Sequence, residues 1–252
     1  ERELEQLSEL KWESPRSIKF LERINHPSVP TIYPPMAQYV FRTVHFFQPD
    51  SILAMRLAFL ILDVLALFFI IGILDKLALN INMSGVYFWC PLIIKETFNS
   101  THLDIIGISF LCGSIYFLVH NRHTLATFFL AMGFLGKLYP AILLPLYVQA
   151  CFQQCKKKEE NPWRIPIVNT LFFFVIIILG YIPFMGIGLH MFDGLKAYSL
   201  YWQSNDSIFA CFLFLFKSLP GDLSSITFLS NSLPIFLSKL TVVSILMGVL
   251  IW

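Results

Sequence analysis

Glu96, His102 and Asp104 stand in an E-x5-H-x-D arrangement within "ETFNSTHLD" (96–104), the most polar stretch between two apolar runs. Carboxylates beside an imidazole can bind a divalent cation, hold sugar hydroxyls or move protons. The bland alternative is a polar interfacial loop in which Asp104 caps the helix that follows. Lys137 is a second candidate, set in "GFLGKLYP" between two apolar stretches and flanked by Gly136, Tyr139 and Pro140. A cation there suits a phosphate or pyrophosphate headgroup; otherwise it is a lysine that snorkels to an interface. A third group lies in "INHPSVPTIYPPMAQYVF" (24–41), which presents Asn25, His26 and Tyr33. Each proline there fixes φ, removes a donor and pushes the preceding residue away from helix, so the loop is expected to be extended and stiff, with a helix starting at Pro35.

The elements that position these residues must be helices in lipid. Of the 252 residues 56% are hydrophobic and 13% charged, and mean hydropathy is +0.68, against about 25% charged in soluble domains. Apolar runs at 52–74, 104–119, 165–186 and 235–252 approach the roughly 20 residues that cross a bilayer, and helices satisfy their own backbone there. The expected fold class is all-α, a polytopic transmembrane bundle, with residues 1–50 in an outer loop carrying juxtamembrane helices and 51–252 forming the bundle. Leu4, Leu7 and Leu10 suggest a short amphipathic helix over 1–12, and 35–47 is too short to span and reads as surface-lying or re-entrant. The segment 81–95 carries Pro91 and is expected to kink; 124–136 and 140–152 read as half-helices meeting at "GKLYP".

Charge orients the bundle. "CKKKEENPWR" (155–164) is the strongest basic cluster and is expected to be cytoplasmic. Alternating spans then place "INHPSVPTIYPP", "ETFNSTHLD", "GKLYP" and residues 188–206 together on the outer side. Arg56 and Asp63, seven apart on one helical face, are expected to serve helix packing, with a structural partner for Asp63. Tyr181, Tyr198, Tyr201 and Trp202 suit an interfacial aromatic belt or stacking on sugar rings.

Other chemistry is not indicated. The formal net charge of +2 implies no attraction to nucleic acid. Cys151 and Cys155 are spaced for two zinc ligands, but no second pair or histidine follows nearby. No Ser-His-Asp triad, P-loop or dinucleotide fingerprint occurs. No signal peptide opens the chain, and both ends read as cut, which predicts an internal piece of a longer protein.

Taken in order, "INHPSVPTIYPPMAQYVF", "WCPLIIKETFNSTHLD" (89–104), "GFLGKLYPAILLPLYV" (133–148), "YIPF" (181–184) and "FDGLKAYSLYWQSNDSIF" (192–209) resemble the bacterial polytopic family-C (GT-C) glycosyltransferases, the mannosyltransferase-like group that uses polyprenyl-phosphate sugars. The resemblance covers residues 24 to about 210. It implies a multi-pass inner-membrane hexosyltransferase with a lipid-linked sugar donor, working on the outer face. An acid early in the first outer loop would be the general base, and no residue here matches it. Glu96 and Asp104 lie where the second outer loop belongs, with His102 between them as the third candidate catalytic residue. Lys137 and Tyr139 would contact the donor's phosphate, and Asn25, His26 and Tyr33 the sugar or phosphate. No cofactor is required by the resemblance; a carboxylate-rich metal site would favour Mg²⁺ or Mn²⁺. The rival class is a non-enzymatic multi-pass transporter or assembly subunit for lipid-linked sugars.

Overall fold

The computed structural model describes residues 30–157, 161–201, 207–218 and 227–251, and every regular element among them is helical. The expected amphipathic helix over 1–12, together with Asn25, His26 and Trp202, lies outside the described residues. Helix α1 (Pro35–Phe47) begins where proline chemistry dictates. Pro34 is extended at φ −63° and ψ 167°, and Pro35 occupies the first turn, where a missing N–H costs nothing. Gln38 ties the preceding loop down, donating from Nε2 to Thr31 Oγ1 (2.9 Å) and to the Tyr33 carbonyl (3.3 Å).

Helix α2 (Ile52–Lys76) is capped by Ser51, whose Oγ accepts from the Ala54 amide. The chain then returns along α2 in pieces: a 3-10 turn at Ile81–Met83, α3 (Ser84–Phe88), one α-turn at Pro91–Ile93, and a π-helical turn at Ile94–Asn99. Pro91 lacks the amide needed to continue α3, so the expected kink is a full break. Two hydrogen bonds fasten this return. Tyr87 donates its hydroxyl to Asp63 (2.6 Å) halfway along α2, and Arg56 Nη2 donates to the Asn99 carbonyl (3.2 Å) near its start. Asp63 thus has its structural partner in Tyr87, while Arg56 holds the π-helical turn.

Helix α4 (Asp104–Val119) runs parallel to α2, since Leu103, Ile105 and Ile106 share a buried cluster with Phe59, and Gly72 faces Tyr116. Helix α5 (His123–Gly136) returns antiparallel to α4. At Gly113 a Cβ would come within 2.4 Å of the Phe129 ring, so only glycine admits this approach. Ser114 donates to the Ala126 carbonyl (2.7 Å) and also meets the Tyr147 hydroxyl, which satisfies a polar group that is fully buried.

Lys137 is extended (φ −155°, ψ 144°), and the chain turns through 3-10 residues Tyr139–Leu143 into α6 (Leu144–Lys157). The expected pair of half-helices meeting at "GKLYP" is present. Helix α7 (Arg164–Tyr181) packs Phe173 and Ile176 against Ala126, Leu130 and Leu135 of α5. Helix α1 completes this core: Ala37 is buried with Phe59 and Ile106, and Tyr39 donates to the Gly180 carbonyl (3.3 Å). A 3-10 stretch, Ile182–Phe192, follows, with Gly188 at φ +60°.

The described residues divide after Met191 into two compact units. The second contains α8 (Asp193–Tyr201), α9 (Ser207–Ser218) and α10 (Thr227–Ile251). Two helical runs among the described residues, Ile52–Lys76 and Arg164–Ser199, are long and apolar enough to cross a membrane.

Candidate functional site

The path of the first unit gives it two ends. The starts of α2 and α4, the ends of α5 and α7, and the loop before α1 gather at one end. The end of α4, the start of α5, the end of α6 and the start of α7 gather at the other. Residues from 33 to 141 positions apart in sequence therefore meet because helices of comparable length alternate in direction.

At the first end Lys95, Glu96 and His102 form one group, and Asp104 and Lys137 another. Glu96 leaves the π-helical turn, and Thr101 in the left-handed region (φ +56°) reverses the chain immediately after it. That conformation is disfavoured for a β-branched residue. The reversal lets the His102 amide donate to the Glu96 carbonyl (2.8 Å) and sets its Nδ1 3.1 Å from the Glu96 carboxylate. Lys95 Nζ lies 3.6 Å from the same carboxylate. Lys95 and His102 therefore meet at the Glu96 carboxylate.

Asp104 belongs to a different pair. It is the first residue of α4, where an acid suits the helix dipole, but the N-cap position belongs to Leu103, and the Asp104 carboxylate takes the Lys137 ammonium. The capping role considered for Asp104 is therefore not what its side chain does. Glu96, His102 and Asp104 are neighbours in the chain, yet only the first two touch. Among the described residues no three His, Cys, Asp or Glu side chains come together as a metal-ligand set.

Glycine brings Lys137 to α4. A Cβ on Gly107 would stand 3.2 Å from Lys137 Cβ and 3.1 Å from the Tyr139 hydroxyl, and one on Gly136 would stand 2.8 Å from Ile106. The lysine side chain keeps 38% of its surface open and Asp104 44%, so both remain reachable by a ligand. Burial, and after it the Asp104 carboxylate, push the Tyr139 phenol well above its ordinary pKa. Tyr139 is consequently a neutral O–H donor at any physiological pH.

Tyr33 sits in the loop that leads into α1, 41% exposed, with its ring edge-on to Phe41. The helix it precedes packs through Ala37 on the start of α4, which brings this loop to the same end as Asp104. Sequence reasoning missed two residues here. Arg56 pointed by its spacing toward Asp63 but instead steadies the Glu96 turn, and its Nε is buried without a partner. Gly107 carried no signal in its local sequence; its role exists only because Lys137 packs against it.

No family model matches this chain, and comparisons with curated proteins and with solved structures found no match.

Proposed function

We propose that the protein is a multi-pass membrane glycosyltransferase that moves a hexose from a polyprenyl-phosphate donor to an acceptor hydroxyl at the end carrying Glu96, Asp104 and Lys137. The membrane reading rests on α2, which is apolar all round and leaves Leu53, Ile61, Val64 and Phe68 more than half exposed. A helix of that kind needs either a protein core or lipid around it, and its one mid-helix acid is quenched by Tyr87. On the positive-inside rule the basic cluster at the other end puts the site on the outer face, and a bacterial inner membrane is what the resemblance implies.

One observation carries the catalytic reading: a lysine held by glycine packing at a helix break, next to a neutral phenol and within one helical end of a separate carboxylate–imidazole pair. In the transfer the acceptor oxygen attacks the anomeric carbon, the bond from that carbon to the phosphate oxygen breaks, and the acceptor proton passes to a carboxylate. With no match here for the early-loop acid that the resemblance makes the general base, we assign that proton to Glu96, which Lys95 and His102 would hold in orientation. Lys137 and the Tyr139 hydroxyl receive the negative charge that develops on the departing lipid phosphate. Asp104 holds Lys137 in place until the donor's phosphate takes over the ammonium. Tyr33 would face the sugar from the loop before α1, and Asn25 and His26 are candidates on the resemblance alone. No step requires a metal.

The broken return over 81–99 favours a second reading, since interrupted helices also build transporter sites. Transfer of labelled hexose from a synthetic polyprenyl-phosphate sugar by the full-length protein in liposomes separates the two. Glycoside product that depends on Glu96 supports the transferase; movement of the intact donor across the bilayer without product supports the transporter.

A further inference from the structure

A cavity of ≈ 770 Å³ opens at the end of the first unit opposite Glu96 and Lys137. Arg122, His123, Thr124, Asn161, Arg164 and Asn169 supply its polar wall, and no acid is among the described residues lining it. Helices α5 and α7 both start here, the first after Arg122 and the second after Trp163, and neither start has a side-chain cap. The first turn of α5 presents its amides to this basin, while at the start of α7 the Arg164 amide donates to the Asn161 carbonyl, the Trp163 amide donates to Asn161 Oδ1 and Pro166 has no N–H, which leaves the Ile165 amide; the positive ends of both helix dipoles face the same space. Neither guanidinium forms an ion pair among the described residues. Asn169, 7% exposed, closes the inner end of the wall; its Nδ2 is wholly buried beside the Cys151 thiol, a weak acceptor. His123 Nδ1 lies 3.2 Å from Cys151 Sγ.

We infer that this cavity is a binding site for a phosphate group, with Arg122 and Arg164 as the paired cations and the start of α5, joined by the Ile165 amide of α7, as the amide cradle. Arginine's fork matches phosphate oxygens two at a time, and the helix N-terminus adds N–H donors. The ligand chemistry has two sources, the headgroup of an acidic phospholipid or a free phosphate. The basic segment at this end, which includes Lys156 and Lys157 at the close of α6, draws either one. The inference stands on the geometry of this end alone and does not depend on glycosyl transfer at the other.

The test uses the full-length protein in nanodiscs of phosphatidylcholine, of phosphatidylcholine with phosphatidylglycerol, and of phosphatidylcholine with added inorganic phosphate. Thermal unfolding and lipid retention by native mass spectrometry are the readouts. Stabilisation by phosphatidylglycerol or by inorganic phosphate is expected, and the condition that gives it identifies the source. Each of Arg122→Gln and Arg164→Gln should weaken that binding about tenfold, whereas Arg122→Lys should retain most of it. Asn169→Asp, which places a negative charge at the cavity wall, should abolish it. Both arginines are exposed, so the glutamine variants are expected to fold. Absence of stabilisation in both anionic conditions, or equal stabilisation of the parent and the Arg122→Gln, Arg164→Gln double variant, would overturn the inference.

Discussion

Replacing Asp104 with Asn removes one charge of the Asp104–Lys137 pair while keeping its shape, and replacing Lys137 with Met removes the other while keeping most of the apolar stem. The pair is 44% and 38% exposed, and such ion pairs contribute about 0.2–1 kcal/mol. Neither variant should therefore change folding stability by more than about 1 kcal/mol. On the proposed transferase reading, their effects on transfer differ in sign. Asp104→Asn frees the lysine, and the donor no longer has to displace a carboxylate. The KM for the polyprenyl-phosphate donor should fall by up to about fivefold, the equivalent of that 1 kcal/mol. Lys137→Met deletes a charge-assisted contact worth about 1.5–3 kcal/mol, so kcat/KM should fall about 10- to 150-fold. Initial rates of hexose transfer by the full-length protein in proteoliposomes, with donor concentration varied, measure both. Parental kcat/KM in Lys137→Met would refute the phosphate contact. A fall of about 10² or more in kcat for Asp104→Asn with unchanged KM would refute the holding role and make Asp104 the base.

Glu96→Gln is expected to lower kcat by about 10²-fold or more with little change in donor KM, because general-base loss acts on the chemical step; product release in a stopped assay checks it. Gly107→Ala forces a Cβ to 3.2 Å from Lys137 Cβ; the resulting shift of the Lys137 loop should cost transfer activity more than thermal stability. Gly113→Ala meets the Phe129 ring at 2.4 Å and Phe69 at 2.8 Å, an overpacking expected to destabilise by about 1–3 kcal/mol, read as a lower unfolding temperature in detergent. In a background with Cys90, Cys112, Cys151, Cys155 and Cys211 replaced, single cysteines at Ser100 and Asn121 should label from opposite sides of the membrane, since they occupy opposite ends of the first unit; labelling from one side would remove the shared outer face.

Most of the fold was legible because its signals are local. The prolines at 34 and 35 set the start of α1, the apolar run after Ser51 set α2, and Gly136 with Pro140 set the break that exposes Lys137. Each depends on backbone chemistry within a few residues, which a single strand of text contains. The meeting of the loop before α1, "ETFNSTHLD" and "GKLYP" at one end of the first unit also followed from counting spans and placing the basic cluster.

What the sequence could not decide was partnership. Asp63 had Arg56 on its own helical face and needed a donor, but the donor came from Tyr87, 24 residues on, because the Pro91 break lays the return segment along α2. Asp104 follows Glu96 and His102 by only a few residues, yet it pairs with Lys137, 33 residues away, because α4 and α5 pack through glycines at that height. The two uncapped starts of α5 and α7 are 41 residues apart and face one cavity only because α6 folds back between them. Side-chain contacts across helices depend on rotation and vertical register, which are set by how small residues let helices approach. Spacing along one chain does not encode those quantities, so the sequence by itself determined which residues carry charge at each end, and the tertiary structure decided which of them meet.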